Sequence, residues 1–252
     1  MPNQFALFVD VMGIQQQLDP VPTADAEARF NACQERLADF HQDLASTIDQ
    51  DQLLLTRTVP LASPLSFVAE FSDAAYLVSN GFAAVASAGI VMMRKAIRHG
   101  YPLRGGLGVG TFSHETSGVR TGRDGLVWGT SSFLGGAVVT AYQAERCSTP
   151  GLRIFVHEGV MRRNTEPLLK PYTVSLLPEE AVDNCTHELR LWSAAEAGAA
   201  QKRLEALRDS QEMTPKARRH YDAAGHAYRR FEVIRADLPI ILPAVWLGGQ
   251  SG

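Results

Sequence analysis

Phe5-Ala-Leu-Phe-Val-Asp10-Val-Met-Gly13 brings five apolar residues, then a carboxylate, then a glycine. The apolar run predicts a short buried strand with Asp10 at its end, and Gly13 lets the chain turn without side-chain bulk. A second acid has a matching context in Phe67-Val-Ala-Glu-Phe-Ser-Asp73-Ala-Ala-Tyr-Leu-Val78. Two apolar strands meeting at Ser72-Asp73 predict a hairpin turn. If the hairpin lies beside the first strand, both carboxylates converge on one sheet edge. Oxygen ligands of that kind suit Mg²⁺ or Mn²⁺, which complete their shells with phosphate oxygens and water.

A polar, proline-bearing connection, Gln15 to Thr23, follows the first strand. Phe30, Cys33, Leu37, Phe40, Leu44 and Ile48 then recur at three- and four-residue steps, predicting an amphipathic helix from Asp25 to Ile48. Leu53 to Thr58 reads as a strand and Pro60 to Pro64 as a loop. Phe82, Val85, Ala86, Ile90, Met93 and Ile97 mark a second helix, with Gly89 on the packed face, ended by His99-Gly100 and Pro102. Leu103-Arg-Gly-Gly-Leu-Gly-Val-Gly-Thr111 matches neither a P-loop nor a dinucleotide fingerprint, and predicts a strand closely approached by another backbone or a ligand. His114 to Trp128 reads as a solvent-facing hairpin, and Gly135 to Arg146 as a helix. Short strands are expected at Leu152–Val156, Tyr172–Leu176 and Glu188–Trp192.

This order predicts an α+β fold with helices on one face of a mainly antiparallel sheet. From Ala194 the composition shifts to Ala, Glu, Lys and Arg, and two helices are expected, broken near Thr214-Pro215. The chain is therefore divided into residues 1–193, a catalytic domain, and 194–252, a helical extension whose apolar end, Pro239 to Trp246, packs back onto the body. No internal repeat interrupts this order.

The 252 residues suit one large domain, or one with an appendage. With 45% hydrophobic and 20% charged residues the chain can bury a substantial core, which excludes wholesale disorder. A net charge of -3 removes any generic electrostatic attraction to nucleic acid or anionic membrane. Three cysteines without a CxxC pair argue against a disulfide framework. There is no basic-then-apolar leader and no run of roughly 18 apolar residues, so the expectation is a cytoplasmic protein.

Several of these pieces together resemble the class III nucleotide cyclase catalytic domain. The carriers are Phe8-Val9-Asp10-Val11-Met12-Gly13, Ser72-Asp73, the glycine strand Arg104 to Gly110, the helix Gly135-Gly-Ala-Val138-Val139-Thr-Ala141-Tyr-Gln143-Ala-Glu145, and Pro150 to Val156. The resemblance covers Phe5 to Trp192. It implies a ferredoxin-like βαββαβ core and a homodimer with sites at the subunit interface. It also implies a two-metal site in which Asp10, Asp73 and the Val11 carbonyl hold Mn²⁺ or Mg²⁺. Where purine cyclases read the base, this chain has Ala69 and Ser132; where the family places its Asn and Arg, it has Val139 and Gln143. Those departures, with Arg-Gly-Gly, Phe-Ser-Asp-Ala and Ala-Tyr-x-x-Glu, look more like the bacterial pyrimidine cyclases of Pycsar antiphage defence. The implied product is cyclic UMP or cyclic CMP, a second messenger for a separate cyclic-nucleotide-activated effector; Ala69 and Arg104 favour conversion of UTP to cyclic UMP, with CTP second.

Taken singly, Asp10 and Asp73 read equally as turn residues; paired at adjacent strand ends they read as metal ligands and catalytic residues. The expected substrate-binding set is Phe8, Met12, Gly13, Arg104, Arg57 and Arg190. Met12-Gly13 would offer backbone N–H groups to a triphosphate. Arg104 would face base or phosphate, or alternatively pair with a surface acid. Arg57 and Arg190 flank strands and read as phosphate ligands or as solvated cations. Tyr142 and Glu145 share a helix face and read as structure or dimer contact; cysteines and histidines read as structural. Cytidylate or purine cyclase activity, or an inactive nucleotide-sensing fold, are the competing functions.

Overall fold

The computed structural model describes residues 3–14, 23–55, 65–121, 127–147, 149–163, 172–182, 184–210 and 215–233. Arg57, the Pro60–Pro64 loop, most of the Gln15–Thr23 connection and the Pro239–Trp246 end lie outside them.

Strand β1 (Asn3–Val11) runs through the middle of a sheet, with β3 (Ala74–Ser79) antiparallel on one side and β4 (Leu103–Thr111) antiparallel on the other. β2 (Leu65–Glu70) closes the expected hairpin onto β3, its turn fastened by the Phe71 N–H donating to the Ala74 carbonyl at 2.7 Å. Beyond β4 come β7 (Ile154–His157), β9 (Cys185–Leu189) and β8 (Thr173–Ser175), giving the order β2-β3-β1-β4-β7-β9-β8. Only the β4–β7 pairing among the described pairs is parallel. β5 (Ser113–Thr121) and β6 (Val127–Leu134) form a separate two-stranded hairpin. The protein is thus α+β with a mostly antiparallel sheet.

Strand alternation gives β1 two faces. Phe5, Leu7, Val9 and Val11 enter the large core, beneath α1 (Thr23–Leu55) and α2 (Phe82–His99). Ala6 and Phe8 enter a smaller cluster on the other side, with Tyr76 and two residues of α3 (Gly136–Glu145). Helices therefore cover both faces, not one. The reason lies in β4, where a Cβ on Gly106, Gly108 or Gly110 would meet the α3 backbone at 2.1, 2.2 and 2.6 Å. Three alternate glycines clear a groove into which Ala137, Ala141 and Ala144 settle, so the helix rests on bare strand backbone.

Two local expectations need correction. Leu53 to Leu55 is the last turn of α1 rather than a strand, the helix running past Ile48. The last core strand is Cys185–Leu189, not Glu188–Trp192, because a tight turn pairing Val182 with Cys185 starts the ladder three residues earlier. Leu191 stays fully buried after the strand has ended, which explains the shifted reading.

α5 (Ala194–Asp209) and α6 (Pro215–Val233) break where the sequence predicts, and Leu204, Tyr221, Tyr228 and Phe231 join the main core. A capping box between Ser193 and Glu196 starts α5. The same Glu196 takes two hydrogen bonds from Arg94 of α2, at 3.2 and 2.9 Å. α6 is tied to the sheet by the Tyr228 hydroxyl donating to the Leu152 carbonyl at 3.1 Å and by Arg230 donating to Glu188 at 2.8 Å.

Candidate functional site

The end of β1 carries the chemistry. Asp10 stands opposite Ala74 on β3 and Arg104 on β4. The Val11 N–H donates to the Asp73 carbonyl at 2.8 Å, so the hairpin turn brings the second acid alongside the first. Gly13 turns the chain away at a φ of 85°, a conformation that strains any residue bearing a Cβ. The α3 groove then delivers a third acid. Glu145, at the last turn of that helix, is buried beside Arg104, with Arg104 Nε 3.5 Å from its Oε1 and Arg146 Nε 3.5 Å from its Oε2.

Asp10 has its pKa pushed up to about 7, first by burial and then by the charges of Glu145 and Asp73. Arg146 and Arg104 pull the other way without offsetting it. Burial also raises Glu145, against the same two arginines. Three carboxyl groups therefore crowd one strand end with too little positive charge to match them. All the donors are hard oxygens, which fits Mg²⁺ or Mn²⁺. Among the described residues no three His, Cys, Asp or Glu side chains gather closely enough to hold an ion by themselves. A cation at Asp10 and Asp73 would take its remaining ligands from phosphate and water.

The other expected residues divide. Phe8 lies in the small cluster, its ring 4.6 Å from Tyr76 and edge-on to Tyr142 at 5.7 Å. Arg104 is only 7% exposed. Its Nη2 donates to the Cys147 carbonyl at 2.5 Å, and its guanidinium lies 5.0 Å from the Phe155 ring centre. It does face an acid, but the buried Glu145 rather than one at the surface. The Met12 N–H donates to the Pro102 carbonyl at 2.9 Å and is not on offer to a phosphate. Arg190 is buried three strands away from β1, where the charge of Glu196 acts on it. Val139 and Gln143 are exposed on the outer side of α3 and Ser132 is exposed on β6, while Ala69 packs at the margin of the small cluster.

No family model matches the chain, and no curated protein matches it.

Sequence reasoning undervalued Glu145. The signal for it was present: the Gly106, Gly108, Gly110 stripe calls for a helix on that face, and the Ala137, Ala141, Ala144 spacing says which side of the helix enters. Glu145 continues that side towards Asp10. A second ionic cluster was missed altogether. Fully buried Arg153 binds Glu188 through Nε and, through Nη2, at 2.7 Å, and Glu180 through Nη1 at 2.8 Å.

Proposed function

We propose that the protein is a metal-dependent nucleotide cyclase that converts UTP to 3′,5′-cyclic UMP and pyrophosphate. The observation that carries this reading is the meeting of Asp10 and Asp73 at adjacent strand ends with an excess of negative charge around Asp10. In such a reaction the ribose 3′-hydroxyl attacks the α-phosphorus while pyrophosphate leaves, and a bound cation supplies acidification of the hydroxyl and neutralisation of the leaving group. Asp10 and Asp73 would hold it, and Arg104 and Glu145 would fix the floor of the site.

The finer fold reading is a ferredoxin-like cyclase core. It is supported by the connectivity β1-α1-β2-β3-α2-β4 and the order β2-β3-β1-β4. A homodimer is supported by exposed apolar side chains on the α3 side of the sheet: Leu134 at 69%, Val139 at 54% and Tyr142 at 41%. Uridine is favoured by Ala69, which offers no polar group for a purine edge. The cytidylate and purine alternatives remain the competing products, and an inactive nucleotide sensor is the competing role. Among the described residues no helix is long and apolar enough to cross a membrane. A role in antiphage signalling through a separate cyclic-nucleotide-activated effector belongs to the same proposal.

The test is incubation with each of the four nucleoside triphosphates and Mn²⁺, followed by chromatography of the products. Cyclic UMP is expected in greatest yield, with cyclic CMP second. Faster formation of cyclic AMP or cyclic GMP would overturn the uridine assignment. No cyclic product from any of the four would overturn the activity.

A further inference from the structure

Two thiols meet behind the site on elements that are far apart in sequence. Cys147 follows the end of α3 and is half-buried; Cys185 begins β9 and is 1% exposed. Both reach for the same carbonyl. The Cys147 N–H donates to Ala144 O at 3.3 Å, and Cys185 Sγ lies 3.9 Å from it. Cys185 packs with Ala144, Phe155 and Leu176, and Cys147 closes that cluster from its solvent side. The two thiols thus flank Ala144 in one cluster, and Arg104 Nη2 stands 3.6 Å from the Cys147 sulfur.

We propose that Cys147 and Cys185 form a reversible intramolecular disulfide on exposure to a hydroperoxide, making the α3 terminus a redox-modifiable element of the fold. Cys147 is the attacking group. The hydrogen bond from Cys185 lowers its pKa, burial opposes this, and the Arg104 charge reinforces it. A cation beside a partly accessible sulfur is the setting in which thiolates form and react. Cys185 is shifted the other way, first by its hydrogen bond to Cys147 and then by burial, and so waits as a thiol.

The steps balance. The Cys147 thiolate attacks the terminal peroxide oxygen, the O–O bond breaks, and the departing alkoxide takes a proton to become an alcohol. Cys147 is left as a sulfenic acid. The Cys185 sulfur then attacks the Cys147 sulfur, the S–S bond forms, and hydroxide leaves with the Cys185 proton as water. Two thiols have lost two electrons to one hydroperoxide. The new bond clamps the residue whose carbonyl receives Arg104, two positions after Glu145. None of this depends on the activity proposed above.

The test treats the reduced full-length protein with hydrogen peroxide and maps non-reduced peptides by mass spectrometry. The expected product joins the Cys147 and Cys185 peptides at a mass lower by two hydrogens, returns to free thiols with dithiothreitol, and leaves Cys33 open to alkylation after unfolding. Cys185→Ser should halt at a sulfenic acid on Cys147, trapped by dimedone. Should that buried change disturb packing, Cys147→Ser gives the complementary reading: oxidation of Cys185 should slow roughly tenfold or more. Wild-type protein in which Cys147 proceeds to sulfinic acid while Cys185 stays alkylatable would overturn the proposal. So would survival of both thiols, or Cys185 oxidising at an unchanged rate in Cys147→Ser.

Discussion

Towards the far edge of the sheet, Glu188 and Glu180 meet Arg153 and Arg230; at the end of β1, Asp10, Asp73 and Glu145 meet Arg104 and Arg146. In the first cluster two acids face two buried or part-buried guanidinium groups, each bridging both carboxylates. Burial works against the Arg153 charge, yet its hydrogen bonds to Glu188 and Glu180 prevail and push its pKa up. Glu180 is held below the usual carboxylate range against the pull of burial, while burial still raises the fully enclosed Glu188 against both arginines. In the second cluster three acids share one buried arginine and Arg146, whose side chain is 68% exposed and therefore well screened. Asp10 is driven upward, first by burial and then by the Glu145 and Asp73 charges, which the two arginines do not offset. A cluster that supplies its own counter-charge holds strands and α6 together. One that falls short leaves acid charge that the proposed cation would offset.

The largest effect should come from breaking the matched cluster. Arg153→Ala leaves Glu188 fully buried without its principal partner, and is expected to cost about 3–5 kcal/mol in urea denaturation. A cost below about 1 kcal/mol would remove the structural reading.

The unmatched cluster should respond in the opposite sense. Asp10 binds its proton more tightly folded than unfolded, so its contribution to stability is fully present below its ordinary value of 3.8 and is lost as pH rises through about 7. Asp10→Asn cannot ionise and keeps that contribution. Without metal, the variant should exceed the wild type by about 1–2 kcal/mol at pH 8, a figure already discounted for partial solvent access, and the gap should close towards pH 4. A pH-independent difference in melting temperature would contradict the assigned strain.

How far the fold and the site are legible in the sequence follows the same contrast. The β1 strand, the hairpin at Ser72-Asp73, the α2 stop at Gly100 and the break before Pro215 are local signals, and each appears where expected. The acids of the unmatched cluster are likewise readable in part, because a charge after an apolar run is conspicuous. The placing of helix α3 on the opposite face is written in small residues rather than in apolar periodicity: the glycine stripe of β4 and the alanines of α3 leave steric room, and that room directs the helix there. The Arg153 cluster was hidden. Its members lie just before β7, on the turn before Val182, on β9 and on α6, and nothing in their spacing says they meet. Arg104 shows the limit from the other side: beside glycines it reads as ligand-facing, yet those glycines admit the helix whose Glu145 engages it.

The central claim is that Asp10 and Asp73, the two acids proposed as ligands at the end of β1, hold a divalent cation. Mn²⁺ titration followed by water-proton relaxation enhancement reports ion bound to the protein directly, whatever the nucleotide. The account predicts clear enhancement in the wild type, with affinity reduced about tenfold or more, some 1.4 kcal/mol, in both Asp10→Asn and Asp73→Asn. Equal Mn²⁺ affinity in the wild type and both variants, or no enhancement in the wild type at all, would contradict it.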